Sequence, residues 1–459
     1  MAVSTFFSAI KAELSKEAKL LSDPNTEEFK SALERWTDRD LKSPSAIVVV
    51  VTEEDIIKTV NLALKHDVPF VPKSGGHSSW STIGQEGIII DLSNYNKVAI
   101  DKSTKTVTIQ SGVVNKQLIT ALYENDLCLP LGGGNTIGSV PQALGGGLCA
   151  LSKLGGNTSD NILSARLITA TGKLITVDSS TPDLLWALKG AGQYFGLTTS
   201  LTLQAYPIST LRSDDGTLWT GTYIFAIDKT GSLASVAAIL MDDEEHNSAN
   251  IAVVTLNPES GSPCLLVMCL FFGSTAEAEQ YTSPIKALGP VVVMENRIKY
   301  SEINDGMDAF CAKGGFKRFK LMGAKRFDPE PWAEVADIFV DLKKQCPDVI
   351  SGGHGFEWVT GKQKKIGGDS AWAHEEVKVW VESLSWHTSP TSIPTVDAAT
   401  EKALTIATRS FKPEELHTYQ NFSRDTSLIS RFGSQERVER LQALKRKWDP
   451  KGVFTDVLL

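Results

Sequence analysis

The stretch Val71–Trp80, VPKSGGHSSW, decides how this chain is read. It follows a short apolar segment and sets Pro72, two adjacent glycines and His77 in a row. Two successive glycines weaken any regular element, so their cost is offset by something that bare backbone does. Free N–H groups in such a turn converge on an anion, and the histidine beside them sits at the edge of whatever carries it.

Working outward, residues 46–51 read as a strand, 52–66 as a helix opened by T-x-x-D, and 69–71 as the strand that leads into the turn. Strands over 87–92, 98–101 and 105–110 and a helix over 114–124 follow. Nine of the chain's 36 glycines then fall between 132 and 156, which predicts a loop system wrapped around a ligand rather than a linker. A second α+β run occupies 165–204. After Pro207 the strands lengthen and alternate, at 223–228, 250–256, 264–272, 291–298 and 376–386. Helices at 274–287, 330–344 and 395–408 intervene, so this part predicts an antiparallel sheet with helices on one face. A last helix, 436–448, carries Val438, Leu441, Leu444 and Trp448 as one apolar stripe. The expected organisation is a first domain over 1–207 with its core at 40–207, a second over 208–410, and a segment over 411–459 that returns to the first.

Composition bounds the function. The chain has 459 residues, 42% hydrophobic and 22% charged, with net charge −8, which describes a soluble globular protein of two domains. The absence of any basic run argues against nucleic acid, and no apolar run is long enough to span a bilayer. The N-terminal residues lack a positively charged leader and read as an amphipathic helix. Six cysteines form no C-x-x-C pair, so free thiols and a cytoplasmic location are expected. The seven histidines show no H-x-H or H-x-x-x-H spacing, so no metal site is expected. GAGQYFG at 190–196 matches a dinucleotide fingerprint only loosely, and it follows a helix. No nucleoside triphosphate loop occurs.

Five motifs stand in order: PKSGGHS, GGGNTIGSVPQALGGG, GGNTSDNILSARLITATGKLITV, DLLWALKGAGQYFGLTTSLTLQAYP, and YQNFSRD…RLQALKRKWDPKGVF. Together they resemble the berberine bridge enzyme-like branch of the vanillyl alcohol oxidase superfamily, over 40–207 and 415–455. The resemblance implies an α+β protein with a p-cresol methylhydroxylase-type FAD-binding domain and an antiparallel-sheet substrate domain. It implies that Gly75 and Gly76 wrap the FAD pyrophosphate between Lys73 (usually Arg), Ser74 and Ser78. His77 would bond covalently to the flavin 8α-methyl. Gly134 stands where many relatives carry a second flavin-linking cysteine, so no second linkage is expected. Gln142 replaces a histidine near the pyrimidine edge. Gly138, Gly146 and Gly147 belong to the same loop, and Asp160, Gly196 and Leu197 to the ribityl and adenosine region. Asn421 belongs to a Y-x-N-Y motif whose second tyrosine is Phe422 here, with Tyr419 expected on the opposite face. A catalytic base would then come from the sheet above the flavin: Glu382, His374 or Asp369. The implied function is oxidation of a small aromatic, alcohol or alkaloid-like metabolite, by hydride transfer to flavin N5 with O2 as acceptor. The alternative is a non-redox step, dehydration or pericyclic cyclisation, on the same scaffold. The sequence does not specify an oligomeric state.

Overall fold

The computed structural model describes residues 2–213, 215–362, 364, 366–422 and 426–459. Its first sheet holds parallel strands Ala46–Val49, Ile88–Asp91 and Phe70–Lys73, with Lys19–Leu21 antiparallel on the edge. The first two parallel strands are buried along their whole length, as runs covered on both sides require. Between the first and last of them in sequence runs the helix Glu53–Lys65. Thr52 and Asp55 close a reciprocal capping box at its start, so T-x-x-D did mark a helix N-terminus. This helix returns the chain to Phe70 and so delivers the turn at 74–78 to the end of the sheet.

A five-stranded antiparallel sheet follows, ordered Val98–Asp101, Thr106–Gln110, Leu197–Gln204, Ile162–Ile168, Leu174–Val177. The second half is one eight-stranded antiparallel sheet. Its order is Val292–Lys299, Thr217–Phe225, Pro263–Phe272, Asn247–Leu256, Val349–Val359, Val379–His387, Phe316–Ala324, Leu416–Thr418. One face carries Tyr223, Val254, Phe356, Trp358, Val379 and Val381 into a core shared with helices Thr230–Leu240, Thr275–Lys286, Trp332–Gln345 and Ile393–Ala407. The opposite face looks toward the first domain. The helix Gln435–Trp448 places Val438, Leu441 and Leu444 in the first domain's core. Its Lys445, fully buried, pairs with Asp449 at 2.6 Å and donates to the carbonyl of Tyr194 at 2.7 Å. Strand Leu416–Thr418, in the segment read as returning, instead joins the edge of the large sheet against Phe316–Ala324. All six cysteines are buried and free.

Candidate functional site

Between the first domain and the open face of the large sheet lies a cavity of about 1460 Å³. A pocket for one drug-sized ligand is roughly 300–1,000 Å³, so this one has room for a dinucleotide and a substrate together. The turn supplies Ser74, Gly75, Gly76, His77 and Ser78 to its wall. Bare backbone is needed there. A Cβ on Gly75 would stand 2.2 Å from the carbonyl oxygen of Thr136 and 2.7 Å from the nitrogen of Gly138, and Gly76 has φ +74°.

His77 is held on two sides. Its Nε2 lies 2.7 Å from Thr136 Oγ1, and its ring stacks on Trp36 at 5.9 Å and 19°. Burial, with the charges of Lys317 and Lys313, lowers its pKa to about 4, so the imidazole is neutral at ordinary pH. Lys317 packs over Trp36 and Trp386 and donates to the carbonyls of Trp36 and Ala312. Neither Trp36 nor Thr136 was singled out in the sequence, because both meet His77 from distant points in the chain.

Gly138, Gln142, Asp160, Gly196, Leu197, Tyr419 and Asn421 line the same cavity. Gln142 Oε1 accepts from Asn115 Nδ2 at 3.1 Å and the Gly132 amide at 3.3 Å. Burial raises Asp160 to about 6, against the amide of Asn157, which donates to it at 2.8 Å.

Several assignments need correction. Lys73 packs under the turn, its Cε 3.3 Å from where a Cβ on Gly76 would stand, but its Nζ is buried away from the cavity, in an ion pair with Asp91 at 3.1 Å and donating to the Ala32 carbonyl at 2.6 Å. It anchors two strands and leaves the turn to its backbone amides. Gly146 and Gly147 stand behind the wall rather than in it. Their missing side chains admit Trp372 and Thr158, which a Cβ would meet at 2.1 and 2.3 Å. Asp369 is away from the cavity, accepting from Trp186 Nε1 at 2.8 Å, Arg437 at 3.1 Å and Arg440 at 3.2 Å. It ties the last helix to the helix Pro182–Ala191 and is no base. Tyr419 and Phe422 are not on opposite faces. Residues 419–422 form a turn, closed by the Phe422 amide on the Tyr419 carbonyl, and the two rings meet at 5.3 Å. The Tyr419 hydroxyl accepts from Gly147, Leu148 and Asn421, and burial pushes it up to about 12, so it braces the glycine loop as a neutral phenol.

The roof comes from strands Val349–Val359, Val379–His387 and Phe316–Ala324, which bring Glu357, Trp380, Glu382 and Phe319 to the cavity. His374 also lines it, but its Nδ1 lies 3.2 Å from His417 Nδ1, and its ring hydrogen-bonds the backbone of Arg431 and Thr418. Burial holds it near a pKa of about 3. With its nitrogens engaged it cannot take a substrate proton. Glu382 is free to. Burial and then the neighbouring Glu357 raise its pKa well above the usual carboxylate range.

The polar atoms that face this cavity without a partner among the described residues test whether FAD fits. Ser74 Oγ, Ser111 Oγ, Asn157 Oδ1, Thr198 Oγ1 and both side-chain polar atoms of Gln193 are buried and unbonded. Buried polar groups are ordinarily paired, so a row of orphans along one wall marks where a polar ligand lies. The residues present fit the group.

Comparison with known proteins gives the same reading. A family described as FAD binding domain matches residues 44–178. FAD-linked oxidoreductase hasG of Aspergillus fumigatus is 29% identical, over 94% of this chain and 95% of its own length. FAD-linked oxidoreductase afoF of Emericella nidulans is 27% identical, over 92% and 88%. Physcomitrella patens BBE-like 1 superposes with TM-score 0.82 at 20% identity, over 98% of both chains. Glucooligosaccharide oxidase from Acremonium strictum, an enzyme described with a 6-S-cysteinyl, 8α-N1-histidyl FAD, superposes with TM-score 0.79 at 19% identity, over 99% and 98%. Fold and cavity together define a two-domain flavoprotein of the p-cresol methylhydroxylase type. Within that class, the chain is an FAD-linked oxidoreductase with the fold of the berberine bridge enzyme-like proteins.

Proposed function

We propose that this protein is a covalent-FAD oxidase that oxidises a small aromatic, alcohol or alkaloid-like metabolite with dioxygen as acceptor. The observation that carries the reading is the setting of His77. Nε2 is paired with Thr136 Oγ1 at 2.7 Å, which leaves Nδ1 as the ring nitrogen open to the cavity side, and the low pKa keeps the ring unprotonated. A neutral ring with Nδ1 left open is what a bond from that nitrogen to the flavin 8α carbon requires. FAD, when bound, supplies a hydride acceptor at N5 and returns the electrons to dioxygen. The backbone at Gly75 and Gly76 holds the pyrophosphate, with Ser74 and Ser78 beside it. Asn157, Asp160, Gln193, Gly196 and Leu197 hold the rest of the cofactor, with Gly138, Gln142 and Asn421 closing the loop side. Glu382 takes the substrate's proton as the hydride leaves. The fungal origin of the relatives supports a place in specialised metabolism. Among the described residues no helix is long and apolar enough to cross a membrane, and a cytoplasmic location is part of this proposal. Anaerobic mixing with candidate substrates tests it. Bleaching of the flavin, reversed by air, is the expected result.

A second reading has its own observation. Phe422 packs on Phe319 at 4.5 Å and on Tyr419, so hydrocarbon fills the place of the motif's second tyrosine. A non-redox enzyme that keeps FAD would need no phenol there. Product formed without any flavin bleaching would establish that reading instead.

A further inference from the structure

Two carboxyl groups in the roof point to the substrate's class. In the register of the paired strands, Gly355 stands opposite Glu382 and Trp380 opposite Glu357. The two glutamates therefore leave the same face of the sheet on a diagonal, at a spacing that long side chains bridge. Both line the cavity. Neither makes a hydrogen bond or an ion pair with any described residue. Several cations around the cavity are engaged elsewhere: Arg39 with Asp397, Lys320 with Glu401, and Lys378 with Asp242.

Unpaired carboxyls in a wall of low dielectric are costly, and two of them repel. Burial alone raises Glu357 to about 7, and burial with the charge of Glu357 raises Glu382 further. Left to themselves the two carboxyls hold their protons; a cation set between them is what lets them ionise. The surrounding wall is aromatic, with Trp380, Trp372, Phe319 and Phe422 lining the same space. An anionic pair set among aromatic faces satisfies a cation, by charge from one side and by ring quadrupoles from the other. A neutral alcohol or sugar offers neither carboxyl a counter-charge.

We infer that the substrate carries a basic amine nitrogen, which binds as a cation between Glu357 and Glu382 and beside Trp380. The inference rests on reading this cavity as the substrate pocket of a flavoenzyme. It narrows the class from aromatic, alcohol or alkaloid-like compounds to amines. It also gives Glu357 a binding role that the sequence alone did not distinguish from that of a solvated strand residue.

The test titrates the FAD-loaded enzyme, without oxygen, with benzylamine, phenethylamine and tryptamine and with the matching alcohols. The perturbation of the flavin absorption spectrum reports binding. The amines are expected to bind at least about tenfold more tightly than their alcohols, the scale of one buried charge interaction. Glu357→Gln is expected to abolish that preference while FAD content stays at the parent level. Equal affinities, a preference that survives both Glu357→Gln and Glu382→Gln, or no perturbation by any amine would overturn the inference. Amines that bind tightly without reducing the flavin would support it and count against the oxidase reading. An alcohol that reduces the flavin while no amine binds would do the reverse.

Discussion

Thr136 and Trp36 fix His77 on one nitrogen and one ring face, which makes its chemistry testable by single substitutions. Thr136→Val should leave the fold intact but slow covalent loading, because Nε2 loses its partner and the ring is no longer held in one orientation. The time course of acid-stable flavin in apoprotein supplied with FAD measures this. Gly75→Val should fail to load at all, since its Cβ alone would press on Thr136 and Gly138. Full loading in that variant would remove the turn from the pyrophosphate site. For the proton, Glu382→Gln should keep FAD yet reduce it about 10²–10⁴-fold more slowly, the usual contribution of a positioned base. The sign of the pH effect follows from the raised carboxyls. They are protonated below their shifted values, so reduction by substrate should fall as pH drops below the raised value of Glu382, the carboxyl that takes the proton. The same shift affects stability. A carboxyl whose folded pKa is raised favours the fold at low pH and loses that contribution as pH rises through the folded value. Glu357→Gln should therefore raise the melting temperature more at pH 8 than at pH 5. At this scale the sequence showed His77, Ser74 and the turn glycines clearly, since glycine pairs beside a histidine are rare and costly. It misassigned Lys73 and Asp369, whose partners Asp91, Arg437 and Arg440 are distant in sequence or belong to other elements.

At the scale of elements, the glycine triplet and the roof strands carry the argument. Gly145, Gly146 and Gly147 are thin so that Asn421, Trp372 and Thr158 can pack in. Gly146→Ala combines φ +114° with a clash against the Trp372 ring, and should cost about 1–3 kcal/mol as overpacking does. Chemical denaturation measures that loss, with a change in Trp fluorescence expected alongside it. Strands with alternating apolar residues, such as Asn247–Leu256 and Pro263–Phe272, were legible from period two. Val349–Val359 was not, because Gly352, Gly353 and Gly355 break its pattern. A Cβ on Gly353 would stand 1.7 Å from the carbonyl oxygen of Val254, so the glycines are what let this strand lie against its neighbour. Phe316–Ala324 was hidden by Lys317, Arg318 and Lys320, which break the alternation of its first half. Most of the roof therefore came from strands whose composition serves the cavity rather than the sheet.

For the whole molecule, the decisive relation is between the FAD-binding half and the large sheet that covers it. Loss of either partner of the fully buried Lys445–Asp449 pair should loosen the return of the last helix, and Asp449→Ala should cost about 3–5 kcal/mol by leaving a buried cation alone. Thermal unfolding with and without FAD reads this, and the variant should also bind FAD more weakly. The motif order made the two-domain fold legible in advance. The site between the domains was legible only on its FAD side, where motifs lie close in sequence. The place of Gly134 illustrates the limit: a side chain there would meet the sulfur of Cys311, on a short helix of the other domain, at 3.0 Å. The central claim, that the flavin is bonded to His77, is tested most directly by denaturing the purified protein in acid and mapping its peptides. The account predicts that the yellow colour stays with the chain, on one peptide that contains His77, and that His77→Ala releases it. Flavin that washes free of the unmodified chain would contradict it.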